Sequence, residues 1–306
     1  MTDRSGLGRG GFALVLTLVV TALMMAVAAE LIHQVYVDTS LSRGFRDGQQ
    51  ASLLAGSGIE GGAKLIQLVI TNQDYSSLSD KWASPLKLDD ETGSIEITAS
   101  EESGKINLNN LVQPNDSLDE FTLKALKQLG KRLQVPDQCW TALADWLDSN
   151  DLPQSNGAET SYYKTLKPPY SARNGKLATL AELSLIKGFT SDVVARLRPF
   201  VTTYASQTGI NINTAPQEVI AALDTSIDDR LAERIIEERK LKPFSGPGDL
   251  SRVDSKLSIA LAGKIGVKGS LYRITAVGLV KDTARTVEAV ARISGGKPEY
   301  LSWQEY

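Results

Sequence analysis

The feature that most constrains this chain is an uncharged, strongly apolar run from Phe12 to Ala29, with the sequence FALVLTLVVTALMMAVAA. As an α-helix this run would rise about 27 Å, close to the roughly 30 Å hydrocarbon core of a bilayer. Arg4 and Arg9 precede the run, and the positive-inside rule therefore places the N-terminus in the cytoplasm. We expect a single-pass protein of the inner membrane whose remaining residues lie on the periplasmic side.

Three kinds of N-terminal segment fit this pattern. Ala26-Val27-Ala28 would suit the cleavage site of a secretory signal peptide, and an uncleaved signal anchor is the second option. The third is a short leader that is cut between Gly11 and Phe12. The composition favours this third option because Gly11 ends a polar leader and helical character continues past Ala29. Apolar residues resume at near-helical spacing further on, at Leu53, Leu54, Ile59, Ala63, Ile66 and Val69.

Composition excludes several classes of protein. The chain has 306 residues and a net charge of −3, which disfavours a broadly basic nucleic-acid-binding protein. Its single cysteine, Cys139, excludes an internal disulfide and a cysteine-built zinc site. Its single histidine, His33, excludes a histidine-rich metal centre and disfavours a Ser-His-Asp triad. No pair of carboxylates stands out as acid and base, so we predict that the chain is not an enzyme.

The strand patterns predict an α+β fold with a small antiparallel sheet. Alternation over Ser94–Ala99 and Lys105–Asn109 predicts one hairpin, and alternation over Tyr272–Val280 and Thr286–Ile293 predicts another. Residues 110–270 lie between them and have helical patterns. We therefore expect a long N-terminal helix, first transmembrane and then amphipathic, followed by a sheet that a large all-helical insertion interrupts.

The insertion contains a weak internal repeat, because Lys105–Leu111 (KINLNNL) parallels Gly209–Ala215 (GININTA). The pattern favours two recurrent helix-entry turns, and two duplicated SAM-like or helix-hairpin-helix-like subdomains are the alternative. The second copy resembles a helix-hairpin-helix DNA-binding module. Its hairpin, Leu223–Asp229, has three aspartates and no glycine, which disfavours phosphate binding. A membrane-anchored periplasmic protein for DNA binding or uptake remains the alternative function.

A loop rich in oxygen ligands follows a predicted helix that ends near Leu147. Asp148 and Glu159 are spaced like positions 1 and 12 of a Ca²⁺ loop, and Asn150 occupies position 3. Pro153 stands where an EF-hand requires glycine, so the loop is not an EF-hand. The residues alone leave a solvated turn and a Ca²⁺ site about equally open.

Two segments carry a resemblance to a known family. RGG-FALVLTLVV resembles the leader of type IV pilins and pseudopilins. The stretch from Asp145 to Gly188 resembles the signature of the K-type minor pseudopilins of type II secretion (GspK). The parts that carry the second resemblance are Asp145-Trp146, Asp148, Pro153, Gly157-Ala158-Glu159, Tyr162, Pro168-Pro169-Tyr170, Asn174 and Glu182-Leu183.

The resemblance implies processing and a location. Prepilin peptidase would cleave between Gly11 and Phe12, and Phe12 would be N-methylated. Most pilins have Glu at the fifth mature position, where this chain has Leu16, and a subunit without that Glu suits the tip of the pseudopilus. The implied function is a non-enzymatic tip subunit that supports pseudopilus assembly and protein export across the outer membrane.

The resemblance also implies a cofactor and partners. The cofactor is Ca²⁺, carried over to Asp148, Asn150, Asp151 and Glu159, with Asp145 either a ligand or a support behind them. The implied partners are I- and J-type minor pseudopilins, other pseudopilins, the inner-membrane secretion platform and prepilin peptidase.

These expectations divide the chain into five parts. Residues 1–11 form the leader and 12–32 the transmembrane helix. Residues 33–109 form the amphipathic helix and first hairpin of the pseudopilin core. Residues 110–270 form the insertion, and 271–306 the C-terminal hairpin of the core.

Overall fold

A computed structural model describes residues 7–204, 209–294 and 296–306. Helix α1 spans Leu7–Thr71. The other helices are α2 (Glu120–Leu133), α3 (Gln138–Leu147), α4 (Thr160–Tyr163), α5 (Ser191–Leu197), α6 (Gln217–Ala222), α7 (Asp229–Leu241) and α8 (Ser255–Ala260). The strands are β1 (Leu86–Asp90), β2 (Gly93–Glu101), β3 (Ile106–Asn107), β4 (Val201–Thr202), β5 (Ile210–Asn211), β6 (Ile265–Gly266), β7 (Leu271–Val280), β8 (Thr283–Arg292) and β9 (Glu299–Glu305).

Helix α1 has two different halves. The side chains from Phe12 to Arg46 are exposed, whereas one face of the second half lies on the sheet. Gly58 allows close approach, because a Cβ there would come within 2.8 Å of both Ala276 and Ile95. The buried face comprises Ala51, Ala55, Ile59, Ala63, Ile66 and Ile70. The long helix is confirmed, but the expected apolar stripe was wrong at Leu53, which is 72% exposed.

The main sheet has five antiparallel strands in the order β1-β2-β7-β8-β9. The predicted C-terminal hairpin is confirmed as β7 and β8, which turn at Lys281-Asp282. The sequence did not predict β9, which extends this hairpin at the edge of the sheet.

The predicted first hairpin was wrong. Strand β2 pairs with β1 and β7, and Ile106–Asn107 pairs in parallel with Val201–Thr202 instead. The local turn explains the partner of β2. The Asp90 carboxylate accepts hydrogen bonds from the backbone N–H groups of Thr92 and Gly93, which closes a tight β1-β2 turn.

The insertion is built from two units that share an order of elements apart from one short helix. The first repeat runs β3-α2-α3-α4-α5-β4 and the second runs β5-α6-α7-α8-β6, so among these elements only α4 has no counterpart. In each repeat the pair of short strands is parallel. The insertion was predicted to be all-helical, so these two short strand pairs were not expected from the sequence. The equivalent connections before α5 and α8 contain 3-10 turns, Leu180–Leu185 and Pro247–Arg252.

The two I-N-x-N segments form matching hydrogen bonds. Asn109 donates to the carbonyls of Leu177 and Thr203 at 2.9 and 2.8 Å and accepts from the Leu177 N–H at 2.7 Å. Asn213 donates to Phe244 and Val267 at 2.9 and 3.3 Å and accepts from the Phe244 N–H at 2.9 Å. The geometry therefore favours a duplicated subdomain over the pair of unrelated turns that the sequence pattern favoured.

Two consecutive glutamates join these repeats to the sheet. Glu101 accepts hydrogen bonds from Ser76 at 2.7 Å and from Asn211, in the second repeat, at 2.8 Å. Glu102 accepts from Thr202, in the first repeat, at 2.6 Å. The end of β2 thus contacts both repeats through adjacent side chains that point to opposite sides.

Candidate metal centre

Three buried carboxylates come together in the first repeat. Asp145 lies in the last turn of α3, Asp148 directly follows that helix, and Glu159 directly precedes α4. Each offers an oxygen atom, and these three atoms lie within 4.8 Å of one another. All three residues are less than 5% exposed, so the cluster is unlike an ordinary solvated acidic loop.

The loop between Asp148 and Glu159 folds back over the end of α3. The backbone N–H of Gln154 donates to both oxygens of Asp145, at 3.3 and 3.2 Å. At Gly157 a Cβ would lie 1.9 Å from Asp145 Oδ2, so the backbone passes the carboxylate at a distance that only glycine permits. This close return brings Glu159 beside Asp145 and Asp148.

The electrostatics of the cluster favour a cation. Burial, together with the charges of Asp148, Asp145 and Asp151, raises the pKa of Glu159 to about 7. Burial also raises the pKa values of Asp145 and Asp148. Both Glu159 oxygens and Asp148 Oδ1 are buried without a hydrogen-bond partner among the described residues. Such orphaned carboxylate oxygens suit a hard dication, so the donor set fits Ca²⁺.

The structure brings together only some of the predicted ligand residues. Asp148 and Glu159 meet, and Asp145 joins them directly. Asn150 Oδ1 accepts a hydrogen bond from the Leu152 N–H at 2.8 Å, and Asp151 is exposed and lies outside the three-carboxylate group. Asp151 still acts on the cluster through its charge, as the pKa of Glu159 shows.

Sequence reasoning missed three residues that hold the loop from outside. The Asp116 carboxylate accepts hydrogen bonds from Ser149, Asn174 donates to the Asn150 carbonyl, and Lys187 donates to the Gly157 carbonyl. Asn174 was visible only as part of the family signature, with no role attached to it. No sequence pattern pointed to Asp116 or Lys187, because both are far along the chain from the residues that they hold.

Aromatic rings support the loop from inside. The rings of Trp146 and Tyr163 meet edge to face with centroids 5.1 Å apart, and Tyr170 stacks on Tyr163 at 5.3 Å. Trp146 and Tyr163 are buried, and together with Cys139 and Trp140 they belong to the core of the insertion. The cluster therefore rests on a packed core.

The predicted processing site lies in α1. Gly11 and Phe12 occupy a continuous helix, and the Phe12 side chain is 72% exposed. Residues 1–6 of the predicted leader lie outside the described residues. By length and composition, one helix within the described ranges could cross a membrane, and the apolar part of that helix is unburied.

The hairpin at Leu223–Asp229, whose aspartates disfavoured phosphate binding in the sequence, connects α6 and α7. Asp224 Oδ1 accepts hydrogen bonds from Ser226, and the Asp228 carboxylate caps α7 at the Leu231 N–H. Asp229 forms an ion pair with Arg132 of α2. The hairpin is thus an acidic structural connection, which is the opposite of the charge that phosphate binding requires.

Comparisons with known proteins place this fold in a family. Two models described as "Type II secretion system (T2SS), protein K" match residues 104–206 and 210–268. The two matches meet between β4 and β5, at the boundary of the two repeats.

Curated relatives agree with these models. A type II secretion system protein K from Pseudomonas aeruginosa is 32% identical over 263 residues, which cover 80% of this chain and 77% of that protein. A protein K from Aeromonas hydrophila is 27% identical over 312 residues and covers 92% of each chain.

A solved structure also agrees in fold. A chain of the GspK-GspI-GspJ complex from the type 2 secretion system of enterotoxigenic Escherichia coli matches with a TM-score of 0.71 and 22% identity. The match covers 87% of this chain and 99% of that one. With its two family-model matches, its relatives and its fold, the chain belongs to the type II secretion system protein K family.

Proposed function

We propose that this chain is a non-enzymatic minor pseudopilin at the tip of a type II secretion pseudopilus, with Ca²⁺ bound in its first repeat. Its role there is to support pseudopilus assembly and protein export across the outer membrane. The observation that carries this proposal is the buried Asp145-Asp148-Glu159 cluster, in a chain whose exposed apolar helix continues onto a five-stranded antiparallel sheet.

The membrane part of this proposal rests on α1. Side chains from Phe12 to Arg46 are exposed, so water would meet the apolar half of the helix unless lipid or neighbouring helices cover it. A globular part on the periplasmic side follows from the basic residues before the apolar run. Cleavage between Gly11 and Phe12 would leave Phe12 as the first residue of the mature helix.

The intact mass of the membrane-extracted protein tests this processing. Co-expression with prepilin peptidase should give a chain that starts at N-methylated Phe12, and expression without the peptidase should leave the leader in place. A chain that starts at Ala29 in both cases would contradict the proposal, because a signal peptidase would then have removed the apolar helix.

The tip location rests on Leu16 and on the size of the insertion. A glutamate at this position of a shaft subunit would pair with a neighbouring N-terminal ammonium, and Leu16 cannot form that pair. The two repeats also make the subunit bulky, and such a large insertion would be difficult to accommodate in every subunit of a tightly packed shaft.

The proposed partners are I- and J-type minor pseudopilins, other pseudopilins and the inner-membrane secretion platform. The structural relative in a GspK-GspI-GspJ complex supports the first two. Co-expression with the I- and J-type proteins of the same secretion system should yield a ternary complex that survives size-exclusion chromatography. Elution of this chain alone, while the I and J proteins elute together, would contradict the partnership.

Ca²⁺ binding has its own chemical argument. When bound, the ion supplies positive charge to three buried carboxylates and fills the coordination of oxygens that otherwise lack a partner. Asp145, Asp148 and Glu159 would hold it, and Asp151 would add negative charge nearby.

Calorimetric titration of the full-length, detergent-solubilised protein with CaCl₂ tests this site. The wild-type chain should bind Ca²⁺, and Glu159→Gln should weaken binding by at least about tenfold, since it removes one charged ligand. Glu91→Gln is the matched control because Glu91 is an exposed residue in the β1-β2 turn. Equal binding by wild type and Glu159→Gln would place any Ca²⁺ elsewhere in the protein.

A further inference from the structure

Two side chains from outside the acidic loop hold it at both ends. Asn174 Nδ2 donates to the Asn150 carbonyl at 3.0 Å and to Asp151 Oδ1 at 3.3 Å. Lys187 Nζ donates to the Gly157 carbonyl at 3.0 Å and to the Asn156 carbonyl at 3.4 Å. The first contact fixes the loop just after Asp148, and the second fixes it just before Glu159.

The backbone around Asn174 is built for this contact. Asn174 has a φ of 48°, a left-handed conformation that asparagine adopts more readily than most residues. The N–H of the next residue, Gly175, donates to the Trp146 carbonyl at 3.1 Å in the last turn of α3. Asn174 is therefore attached to the helix that carries Asp145, and its amide reaches the loop from that fixed base.

Lys187 is similarly constrained. Its ammonium lies 5.1 Å from the centroid of the Tyr162 ring, and its backbone N–H donates to the Tyr163 hydroxyl at 3.3 Å. It holds the carbonyl of Gly157, where an added Cβ would lie 1.9 Å from Asp145 Oδ2. A shift of Gly157 would therefore change the separation of Asp145 and Glu159.

We propose that Asn174 and Lys187 are positioning residues for the Ca²⁺ site, which close the loop so that Asp145, Asp148 and Glu159 keep a spacing suited to the ion. The inference rests on the proposed Ca²⁺ binding. Neither residue needs to contact the ion: hydrogen bonds that orient ligands from behind commonly change metal affinity by about 10- to 100-fold.

Because Lys187 is positively charged, the direction in which its removal changes Ca²⁺ affinity tests this inference. Burial raises the pKa of Asp145, and the Lys187 ammonium opposes that rise, so the lysine acts electrostatically on the cluster. If Lys187 contributed only charge, its removal would leave the site more negative and Ca²⁺ would bind more tightly. If it positions Gly157, its removal should weaken binding instead.

The experiment is calorimetric titration with CaCl₂ of the full-length protein in detergent, as wild type, Lys187→Met, Lys187→Arg and Asn174→Ala. We expect Lys187→Met and Asn174→Ala to raise the dissociation constant about tenfold or more. Lys187→Arg keeps a donor and should recover most of the affinity. The control is Lys164→Met, because Lys164 is exposed and its side chain forms no hydrogen bond or ion pair with the described residues.

A second readout separates positioning from general stability. The melting temperature of each variant is measured in a chelator and again in saturating CaCl₂. A merely structural role would lower both values equally, whereas positioning should reduce the increase that CaCl₂ produces. This readout also tests Asn174→Ala alone, should Lys187→Met fail to fold.

The outcomes distinguish the two proposals. If the wild-type protein does not bind Ca²⁺, the proposed metal site itself fails, and the positioning role fails with it. If the wild type binds but Lys187→Met binds as tightly or more tightly, and Asn174→Ala is unchanged, only the positioning role is overturned. Weaker binding by Lys164→Met to the same degree as Lys187→Met would also overturn it.

Discussion

The two repeats of the insertion share a scaffold but differ in one connection. In the first repeat, residues 148–176 separate α3 from Leu177, which Asn109 binds. In the second repeat, only Lys242 and Pro243 separate α7 from Phe244, which Asn213 binds. All three clustered carboxylates lie in the first repeat, in the last turn of α3 and in this long connection.

This difference in connection length shows where a repeat of this kind can acquire a binding site. Both ends of the long connection are fixed, at one end by α3 and at the other by the Asn109 hydrogen bonds. A segment between fixed ends can lengthen without altering the unit around it, since loop-closure entropy grows only slowly with length. The second repeat therefore represents the bare scaffold, and the first represents the scaffold with a candidate metal site added.

The largest expected effect comes from the asparagines that define the shared scaffold. Asn109→Ala would leave three buried backbone groups without a partner. Asn213→Ala would leave two, the N–H and carbonyl of Phe244, because the Val267 carbonyl also accepts from the Ser76 N–H. Since each such group costs about 1–3 kcal/mol, we expect each variant to lose roughly 2 kcal/mol or more of unfolding free energy, as measured by chemical denaturation of the solubilised full-length chain. Asn110→Ala is the control because Asn110 is exposed and its side chain accepts one hydrogen bond, from Asn107, rather than holding buried backbone groups. A loss below about 1 kcal/mol for either variant would break the equivalence of the repeats.

An effect of similar size is expected from the pH dependence of the two contacts with the sheet. Burial raises the pKa of Glu101, at the second repeat, from 4.5 to about 7. The folded state then binds a proton more tightly than the unfolded state does. Stability from Glu101 is thus fully present below pH 4.5 and is lost as the pH rises to about 7, with a slope of about 1.4 kcal/mol per pH unit.

The pKa of Glu102, at the first repeat, is shifted in the opposite direction. Burial alone would raise its pKa, but Lys105 and Arg273 hold the pKa below its ordinary value. Its stabilisation is present above that ordinary value and is lost as the pH falls below it.

Unfolding free energies of Glu101→Gln and Glu102→Gln, measured between pH 4.5 and 7 in saturating CaCl₂, test this contrast. Glu101→Gln should remove the decline with rising pH, and Glu102→Gln should lower stability while leaving that decline in place. Saturating CaCl₂ limits the contribution of Glu159, whose pKa is also raised to about 7. Identical pH profiles for wild type and Glu101→Gln would contradict the assignment.

The smallest expected effect concerns the ion pair between the repeats. Arg132 of α2 pairs with Asp229 of α7, and both side chains are at least 30% exposed. Exposed pairs contribute about 0–1 kcal/mol, so Arg132→Ala should lose less than about 1 kcal/mol of unfolding free energy, and added salt should reduce that loss. A salt-independent loss of several kcal/mol would instead show that the repeats depend on this contact for their orientation.

Local patterns predicted α1 and the C-terminal hairpin correctly. They failed where the partner of a segment is distant in sequence. Alternation over Ser94–Ala99 fits a strand but does not identify its neighbour, and Ile106 finds its partner at Val201. Strand β9 extends the hairpin at an exposed edge, and its alternation was too weak to predict it from the sequence.

At the candidate site too, local spacing predicted some residues, whereas contacts between distant segments were missed. Spacing along the chain pointed to Asp148 and Glu159, which the structure brings together. Spacing could not show that the Asn150 amide oxygen accepts a hydrogen bond from Leu152. The contribution of Asp145 depends on the return of the chain at Gly157, and the contacts of Asn174 and Lys187 join segments that only the folded core brings together.

The most direct test of this account is hydrogen exchange of the full-length, solubilised protein in CaCl₂ and in a chelator, followed segment by segment. Ca²⁺ at 100 times its dissociation constant would stabilise the site by about 2.7 kcal/mol. The account predicts that Ca²⁺ slows exchange across residues 148–176, leaves α6 and α7 unchanged, and has no such effect in Glu159→Gln. Unchanged exchange in residues 148–176, or equal slowing in both repeats, would contradict it.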